Sequence, residues 1–254
     1  MKRRLVIIGG LILFLVSSIA HSQRLSGNTF LPPELMSLGK DEAANPLSLW
    51  NDQGHAIWEA KCQECHGKIS SLATTVVQFP KWISNSTSQG RLLNLEDQIG
   101  VCLSRTSTQK WSNESNEVLA LSTALSDTAK GQKIRIEGPK AKSEHEAWQE
   151  QMNLAAKIYV TRQGRLNLAC TQCHDQKIGI QLRSDVISPA FVTGFPIYRQ
   201  SWQTAGSIDR RLRACYSGVQ ALVPPSGSPE LRALELFLKK RSEGMPWDGP
   251  SIRR

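Results

Sequence analysis

Hydrophobic and polar positions near the carboxyl end of the chain follow helical spacing. Leu231, Leu234 and Leu238 recur at intervals of three and four residues. They follow a Ser-Pro-Glu sequence at 228–230, which is typical of a helix start. Basic residues at 239–241, and then Gly and Pro at 244 and 246, are typical of a helix end. The pattern therefore predicts a helix from about residue 229 to about residue 241.

Other segments favour helices or irregular structure, and none favours an extended sheet. Residues 54–61 and 154–168 have helix-forming composition and lead into cysteine-containing motifs. Residues 127–146 are polar, which predicts a linker or a surface excursion, and residues 23–50 predict an irregular N-terminal arm. Sustained alternation of apolar and polar residues is missing. The chain is therefore predicted to be mainly α.

The first 22 residues have the pattern of a secretory signal peptide. Lys2, Arg3 and Arg4 precede an apolar run from 5 to 16, and small residues follow at positions 20 and 22. A membrane anchor is the alternative, but the run is shorter than the roughly 20 apolar residues that span a bilayer. No later stretch is apolar enough to span. We therefore expect cleavage near residues 22–23 and a periplasmic mature chain.

Composition and net charge limit the classes of function that this chain can have. Apolar residues make up 40% of the 254 residues and charged residues 21%, which excludes a mainly disordered chain. The formal net charge is +9, and the mature chain stays basic after its first residues are removed. A basic chain suits an anionic substrate or an acidic partner. Because the chain is exported, we do not expect nucleic acid to be that partner.

Four of the six cysteines lie in two copies of one motif, C-x-x-C-H. The copies are Cys62, Cys65 and His66, and Cys170, Cys173 and His174. This motif attaches c-type haem, because two thiols bond to the porphyrin and the histidine supplies an axial nitrogen to the iron. A zinc site would need a fourth ligand, and a thioredoxin-like site would leave the repeated histidine unexplained. The sequence therefore predicts two covalently bound haems.

The two motifs belong to an internal repeat. They lie 108 residues apart, and a further cysteine follows each of them, Cys102 and Cys215, at an offset of 113. The same offset aligns the next segments without gaps, pairing Ser115, Glu117, Val118, Ala120, Leu121 and Leu125 with Ser228, Glu230, Leu231, Ala233, Leu234 and Leu238. We expect two tandem cytochrome c-like domains related by duplication. After the signal peptide at 1–22, the arm and first domain cover 23–147, and the second domain covers 148–254.

The second axial position of each iron needs a ligand. Electron-carrying cytochromes commonly use a downstream methionine, but no methionine or further histidine occupies matching places in the two copies. Cys102 and Cys215 do match, 36 residues after His66 and 41 after His174. We predict that they ligate the first and second iron. A disulfide between them is the alternative, and it would require the distal sides of both haems to meet.

A basic segment precedes only one of these two cysteines. Arg210, Arg211 and Arg213 lie just before Cys215, whereas residues 96–101 before Cys102 are acidic or uncharged. On a helix, Arg211 and Cys215 would share one face, so that a guanidinium could hold an oxyanion beside the sulfur. A solvated basic face is the alternative. The asymmetry favours chemistry at the second haem.

Most of the mature chain, and its second copy most closely, resembles the SoxA family of c-type cytochromes, which are the catalytic subunits of SoxAX complexes of thiosulfate oxidation. The resemblance rests on Gly-Phe-Pro-Ile-Tyr-Arg at 194–199, Arg-Arg-Leu-Arg-Ala-Cys at 210–215 and Gly-Ser-Pro-Glu-Leu at 227–231. It implies a periplasmic dihaem protein that pairs with the monohaem cytochrome SoxX. It also implies that Cys215 bears sulfur as a persulfide and that Arg211 binds the substrate anion. Tyr-Ser-Gly at 216–218 departs from the more polar family pattern.

The resemblance implies a specific reaction, the oxidative conjugation of thiosulfate to a cysteine of the carrier protein SoxYZ. This is the activity of an L-cysteine S-thiosulfotransferase, and its electrons would pass to SoxX. A non-catalytic dihaem electron carrier is the main alternative, and it predicts methionine or histidine as distal ligands. A dihaem peroxidase would need one open iron, which two matched cysteines argue against.

Overall fold

The computed structural model describes residues 24–84, 90–105 and 108–254, so the predicted signal peptide lies outside the described residues. The described part of the chain is mainly helical. Its helices are α1 Pro33–Leu38, α2 Leu47–Lys61, α3 Gln63–His66, α4 Ala73–Val76, α5 Leu95–Leu103, α6 Asn116–Thr128, α7 His145–Val160, α8 Cys170–His174, α9 Ile208–Gly218 and α10 Pro229–Arg241. Short 3-10 helices lie at Gly27–Phe30, Ile69–Leu72 and Lys142–Glu144. None of these helices has the length and apolarity needed to cross a bilayer.

The strands are short, which explains why no alternating pattern announces them. They are β1 Lys81–Ile83, β2 Arg91–Leu93, β3 Gln181–Leu182, β4 Asp185–Val186, β5 Ile197–Arg199, β6 Thr204–Gly206 and β7 Ser251–Arg253. β1–β2 and β3–β4 form antiparallel pairs, whereas β5 is the central strand of a three-stranded sheet. β5 pairs antiparallel with β6 and parallel with β7, and Arg199 lies opposite Arg253.

In the first half of the chain, α2 packs across α6. Gly54 allows the close approach, because a Cβ at this position would lie 2.2 Å from the carbonyl oxygen of Ala120. Val118, Leu121 and Trp58 are buried in the core beneath this crossing. The crossing fixes the end of α2, where the first haem motif begins.

In the second half, α10 packs against α7, with Ala155, Leu231 and Leu234 buried between them. Ser228 caps α10 by accepting a hydrogen bond from the backbone N–H of Leu231. The helix ends at Arg241, so the sequence-based prediction of this helix is confirmed at both ends.

The prediction that a helix continues to residue 168 is wrong, because α7 ends at Val160. Residues 163–168 instead form a turn that pairs with the chain after α9: Arg165 donates to the carbonyl of Gln220 and Leu166 to that of Val219. Gly164 makes the turn possible, because its φ is +67° and a Cβ there would lie 2.1 Å from the Val219 carbonyl oxygen. These tertiary hydrogen bonds outweigh the helix propensity of the segment.

The predictions of an irregular arm at residues 23–50 and of a linker at residues 127–146 need smaller corrections. The segment predicted as an irregular arm contains α1, and α2 begins at Leu47 rather than near residue 54. Leu35 and Leu47 pack against Ala205 and Ile252, so this segment covers one face of the three-stranded sheet. The polar stretch at 127–146 joins the end of α6 to the start of α7, which begins just before the predicted domain boundary.

A buried cluster of charged side chains joins α5, α9 and α10. Arg232 on α10 is 3% exposed. Its Nη2 donates to Asp97 on α5 at 2.9 Å, and its Nη1 donates to Asp209 on α9 at 2.9 Å. One guanidinium therefore fixes the relative positions of the two helices that carry Cys102 and Cys215.

Candidate functional site

The second C-x-x-C-H motif forms the short helix α8. The Nδ1 of His174 lies 2.7 Å from the carbonyl oxygen of Ser188, which can only accept, so Nδ1 carries the proton and donates. This bond fixes the imidazole and directs its other nitrogen, Nε2, toward a ligand. The arrangement is typical of a histidine that binds a metal or a haem iron.

Cys215 faces His174 from α9. Ser207 caps this helix, since its side chain accepts a hydrogen bond from the backbone N–H of Arg210. The prediction of a helix that places Arg211 one turn before Cys215 is thus confirmed.

Local charges favour the thiolate form of Cys215. Burial raises the pKa of the thiol, and the Arg211 guanidinium is the strongest of the influences that lower it. A hydrogen bond and charge from His174, and then the charge of Arg199, lower the pKa further, so it is about 7 rather than near 9. A thiolate is both a nucleophile and a ligand for iron.

The attachment cysteines surround the same space. Burial, together with the neighbouring Cys215, raises the pKa of the Cys170 thiol to about 11. Ile178, Ile180 and Leu182 follow the motif, and their side chains are exposed. A fixed imidazole, a facing thiol, two thiols one turn apart and exposed apolar side chains fit a covalently bound c-type haem.

The first motif has a related but distinct setting. It begins where α2 ends, and the ring of His66 lies 5.8 Å from that of Trp58, centroid to centroid. Burial raises the pKa of the Cys62 thiol, and so does the charge of Cys102. Cys102 on α5 therefore lies near the motif. In both copies, therefore, the first motif cysteine has the downstream cysteine as an electrostatic neighbour.

The two cysteine-bearing helices begin alike and differ one turn before the sulfur. Asn94 caps α5 as Ser207 caps α9, each eight residues before its cysteine. Gln98, four residues before Cys102, donates from Nε2 to the Cys102 sulfur at 3.4 Å. The corresponding residue before Cys215 is Arg211. The first sulfur thus has a neutral hydrogen-bond donor where the second has a positive charge.

The disulfide alternative is not observed, because all six cysteines are unpaired. The methionine alternative also finds no support at Met245, which is 5% exposed and packs in the hydrophobic core of the first half of the chain. Cys102 and Cys215 lie near the first cysteine of the first and second motif, respectively.

The arginines near Cys215 have different contacts. Arg199 on β5 pairs with Asp185 on β4 at 2.6 Å. Arg210 stacks over the Trp202 ring at 4.5 Å, and Arg213 donates to the carbonyl of Pro224. Within the described ranges, no carboxylate lies within salt-bridge distance of Arg211. Of the predicted cluster, Arg211 is therefore the guanidinium that acts on Cys215.

Sequence reasoning missed two contributors to this region. Ser188 acts through its backbone carbonyl, which every residue possesses, so no side-chain pattern could have indicated it. Arg253 lies opposite Arg199 in the sheet, and the charges of Arg211 and Arg199 act on it. A three-residue strand gives no alternation from which its pairing could be inferred.

Residues 47–134 match the family model described as the SoxA/TsdA cytochrome c domain. The chain therefore contains a cytochrome c domain, whose cofactor is a c-type haem.

Relatives match over most of the chain. The L-cysteine S-thiosulfotransferase subunit SoxA of Rhodovulum sulfidophilum is 28% identical over 239 residues, which cover 90% of this chain and 79% of that protein. The protein of the same name from Pseudaminobacter salicylatoxidans is also 28% identical, over 91% of this chain and 81% of its own length. The crystal structure of SoxXA from P. pantotrophus superposes with a TM-score of 0.80 and 25% identity, covering 91% of this chain and 87% of that one. Over about 90% of its length the chain is thus similar to SoxA proteins.

Proposed function

We propose that this chain is the catalytic subunit of an L-cysteine S-thiosulfotransferase, which joins thiosulfate oxidatively to a cysteine of a SoxYZ-type carrier. The observation that carries the proposal is the position of Cys215, which faces the fixed imidazole of His174 and lies one helical turn from Arg211. The names of the relatives support the same activity. The SoxXA complex supports a SoxX-type cytochrome as the partner that receives the electrons.

The cofactors in this proposal are two covalent haems. Cys62 and Cys65 would attach the first haem, and His66 and Cys102 would bind its iron; Cys170 and Cys173 would attach the second haem, and His174 and Cys215 would bind its iron. The proximity of Cys62 to Cys102 and of Cys170 to Cys215 supports both ligand sets. When bound, the second haem supplies an electron acceptor next to the reacting sulfur.

In this proposal Arg211 binds the substrate and Cys215 forms and breaks the sulfur–sulfur bond. Arg211 holds the oxygens of the thiosulfate dianion by charge-assisted hydrogen bonds. The Cys215 thiolate bonds to the terminal sulfur of thiosulfate, and two electrons leave toward the SoxX partner. The carrier thiolate then attacks that terminal sulfur, leaves as the S-thiosulfonate and returns Cys215 as a thiolate. The lowered pKa of Cys215 makes it a good leaving group.

The proposal includes the organisation and location of the chain. The signal peptide at 1–22 directs export to the periplasm, where haem is attached. Residues 23–147 form the arm and first domain, and residues 148–254 form the second. Matching helix caps at Asn94 and Ser207, and matching starts of α6 and α10 at the same sequence offset, support duplication as the origin of the two halves.

Cys215→Met tests the proposed catalytic sulfur. Methionine can still ligate iron, so we expect two haems in the purified variant but at least a hundredfold loss of thiosulfate transfer. Mass spectrometry of the carrier measures the transfer, and the intact mass of the variant counts the haems. Cys102→Met is the matched control, and we expect it to retain most of the activity.

Normal carrier modification by Cys215→Met would contradict the catalytic assignment. Equal losses in the two variants would point to electron transfer rather than sulfur chemistry. That outcome would favour the alternative function, a dihaem electron carrier.

A further inference from the structure

We propose that Arg253 is a positioning residue that keeps the surroundings of Cys215 net positive and so favours a dianion over a monoanion at Arg211. This inference rests on the proposed function, because thiosulfate is the dianion concerned. It assigns a role to a residue of β7 that is 38 positions beyond Cys215 in the sequence.

The sheet brings Arg253 to the site. β7 pairs in parallel with β5, and Arg253 lies opposite Arg199. Side chains at facing positions of neighbouring strands project from the same face of a sheet. Arg199 is close enough to act on the Cys215 thiol, so the pairing places Arg253 beside one of the positive charges that act on this sulfur.

The Arg253 guanidinium is held in place rather than free to turn into solvent. Its Nη1 donates to the carbonyl of Ile252 at 2.7 Å. Its Nη2 lies 3.2 Å from the point where Gly27 would carry a Cβ, and the Ser188 hydroxyl lies 3.9 Å from that same point. The N-terminal arm therefore covers Arg253 close to the residue that orients His174.

Arg253 determines the net charge of the group of five charged side chains that it forms with the four residues whose charges act on it. The charges that act on it are those of Asp248, Arg211, Asp185 and Arg199. Only the Arg199–Asp185 pair of this cluster is in direct ionic contact. With Arg253 there are three guanidinium groups and two carboxylates, and without it the numbers are equal. Burial and the neighbouring arginines lower the pKa of Arg253 to about 10, so it stays charged at neutral pH.

A fixed charge near the binding residue acts twice as strongly on a dianion as on a monoanion. We therefore expect Arg253→Gln to raise the KM for thiosulfate about tenfold and to leave kcat within about twofold. Arg253→Lys keeps the charge and should stay within about threefold of the wild type. Arg254→Gln is the matched control, because Arg254 is the next residue and pairs with Glu34 instead.

Direct anion binding gives a second measurement on the same four proteins. Calorimetric titration with sulfate and with nitrate compares a dianion with a monoanion. Loss of the Arg253 charge should weaken sulfate binding at least fivefold, with a smaller effect on nitrate. An unchanged KM and sulfate affinity, or equal effects of the Gln and Lys variants, would overturn the inference.

Asp248→Asn tests the same inference if Arg253→Gln does not fold. It removes one of the two carboxylates and should lower the KM, whereas a higher or unchanged KM would contradict the electrostatic role. Failure of the proposed function can be distinguished from failure of this inference. If the proposed function is wrong, the wild-type protein will leave the carrier unmodified by thiosulfate. The sulfate titrations would still decide the role of Arg253.

Discussion

One residue position distinguishes the two sulfur sites of this chain. Gln98 donates to the Cys102 sulfur, whereas Arg211, at the equivalent position, lowers the pKa of Cys215. Because the two helices share their caps and spacing, this difference is a change of side chain rather than of backbone. A neutral donor can tune a sulfur ligand, but a guanidinium can also hold an anion.

Arg211→Gln would give the second site the side chain found at the first. A hydrogen bond to a charged group is worth about 1.5–3 kcal/mol, so we expect the KM for thiosulfate to rise roughly 10- to 100-fold. Steady-state kinetics of carrier modification measure this. An unchanged KM would remove Arg211 from the substrate site.

The residues of the candidate site could be identified from the sequence, but the groups that orient them could not. The repeated C-x-x-C-H motifs and the matched cysteines predicted the ligands, because haem attachment needs those side chains at that spacing. The roles of the Ser188 carbonyl and of Arg253 depend on chain folding between distant segments. No local pattern reports such contacts.

At the scale of helices and strands, prediction succeeded where the side chains themselves define the ends. Ser228 caps α10, and this start was visible in the sequence. The end of α7 was misjudged because backbone groups at 165–166 bond to residues 219–220 after α9. The short strands were missed because their pairing is set by packing rather than by alternation.

The crossing of α2 and α6 depends on the absence of a side chain at Gly54. Gly54→Ala would place a Cβ against the backbone of Ala120, and we expect the protein to lose about 1–3 kcal/mol or more of stability. Thermal unfolding followed by circular dichroism should show a lower midpoint. Gly218→Ala in α9 is the control, since a Cβ there meets nothing within 4 Å. Equal midpoints in the two variants would refute the close-packing argument.

At the scale of the whole molecule, buried polar groups join the two halves. Ser207, the cap of α9, donates to the Glu114 carboxylate that precedes α6. Burial raises the pKa of Glu114 to about 7, although the Ser207 hydrogen bond and the nearby Arg210 oppose the shift. The stability of the interface between the halves therefore depends on pH.

The sign of this dependence follows from the raised pKa. Between about pH 4.5 and 7, the folded state binds more protons at Glu114 than the unfolded state does. Its contribution to stability is fully present below about pH 4.5 and is lost as the pH rises through 7. Glu114→Gln should raise the unfolding midpoint relative to wild type at pH 8 more than at pH 5. Glu59→Gln, at an exposed position on α2, should show no such difference.

The Arg232 cluster has a consequence for how such a protein can change over time. Asp97 belongs to the first half of the chain, yet it helps hold the guanidinium that anchors α9. Loss of the first haem through changes at Cys62 and Cys65 would leave that anchor intact, whereas removal of the first half would take away the Asp97 carboxylate and leave a buried guanidinium with fewer partners. A descendant could therefore discard the first haem and still need the polypeptide that once carried it.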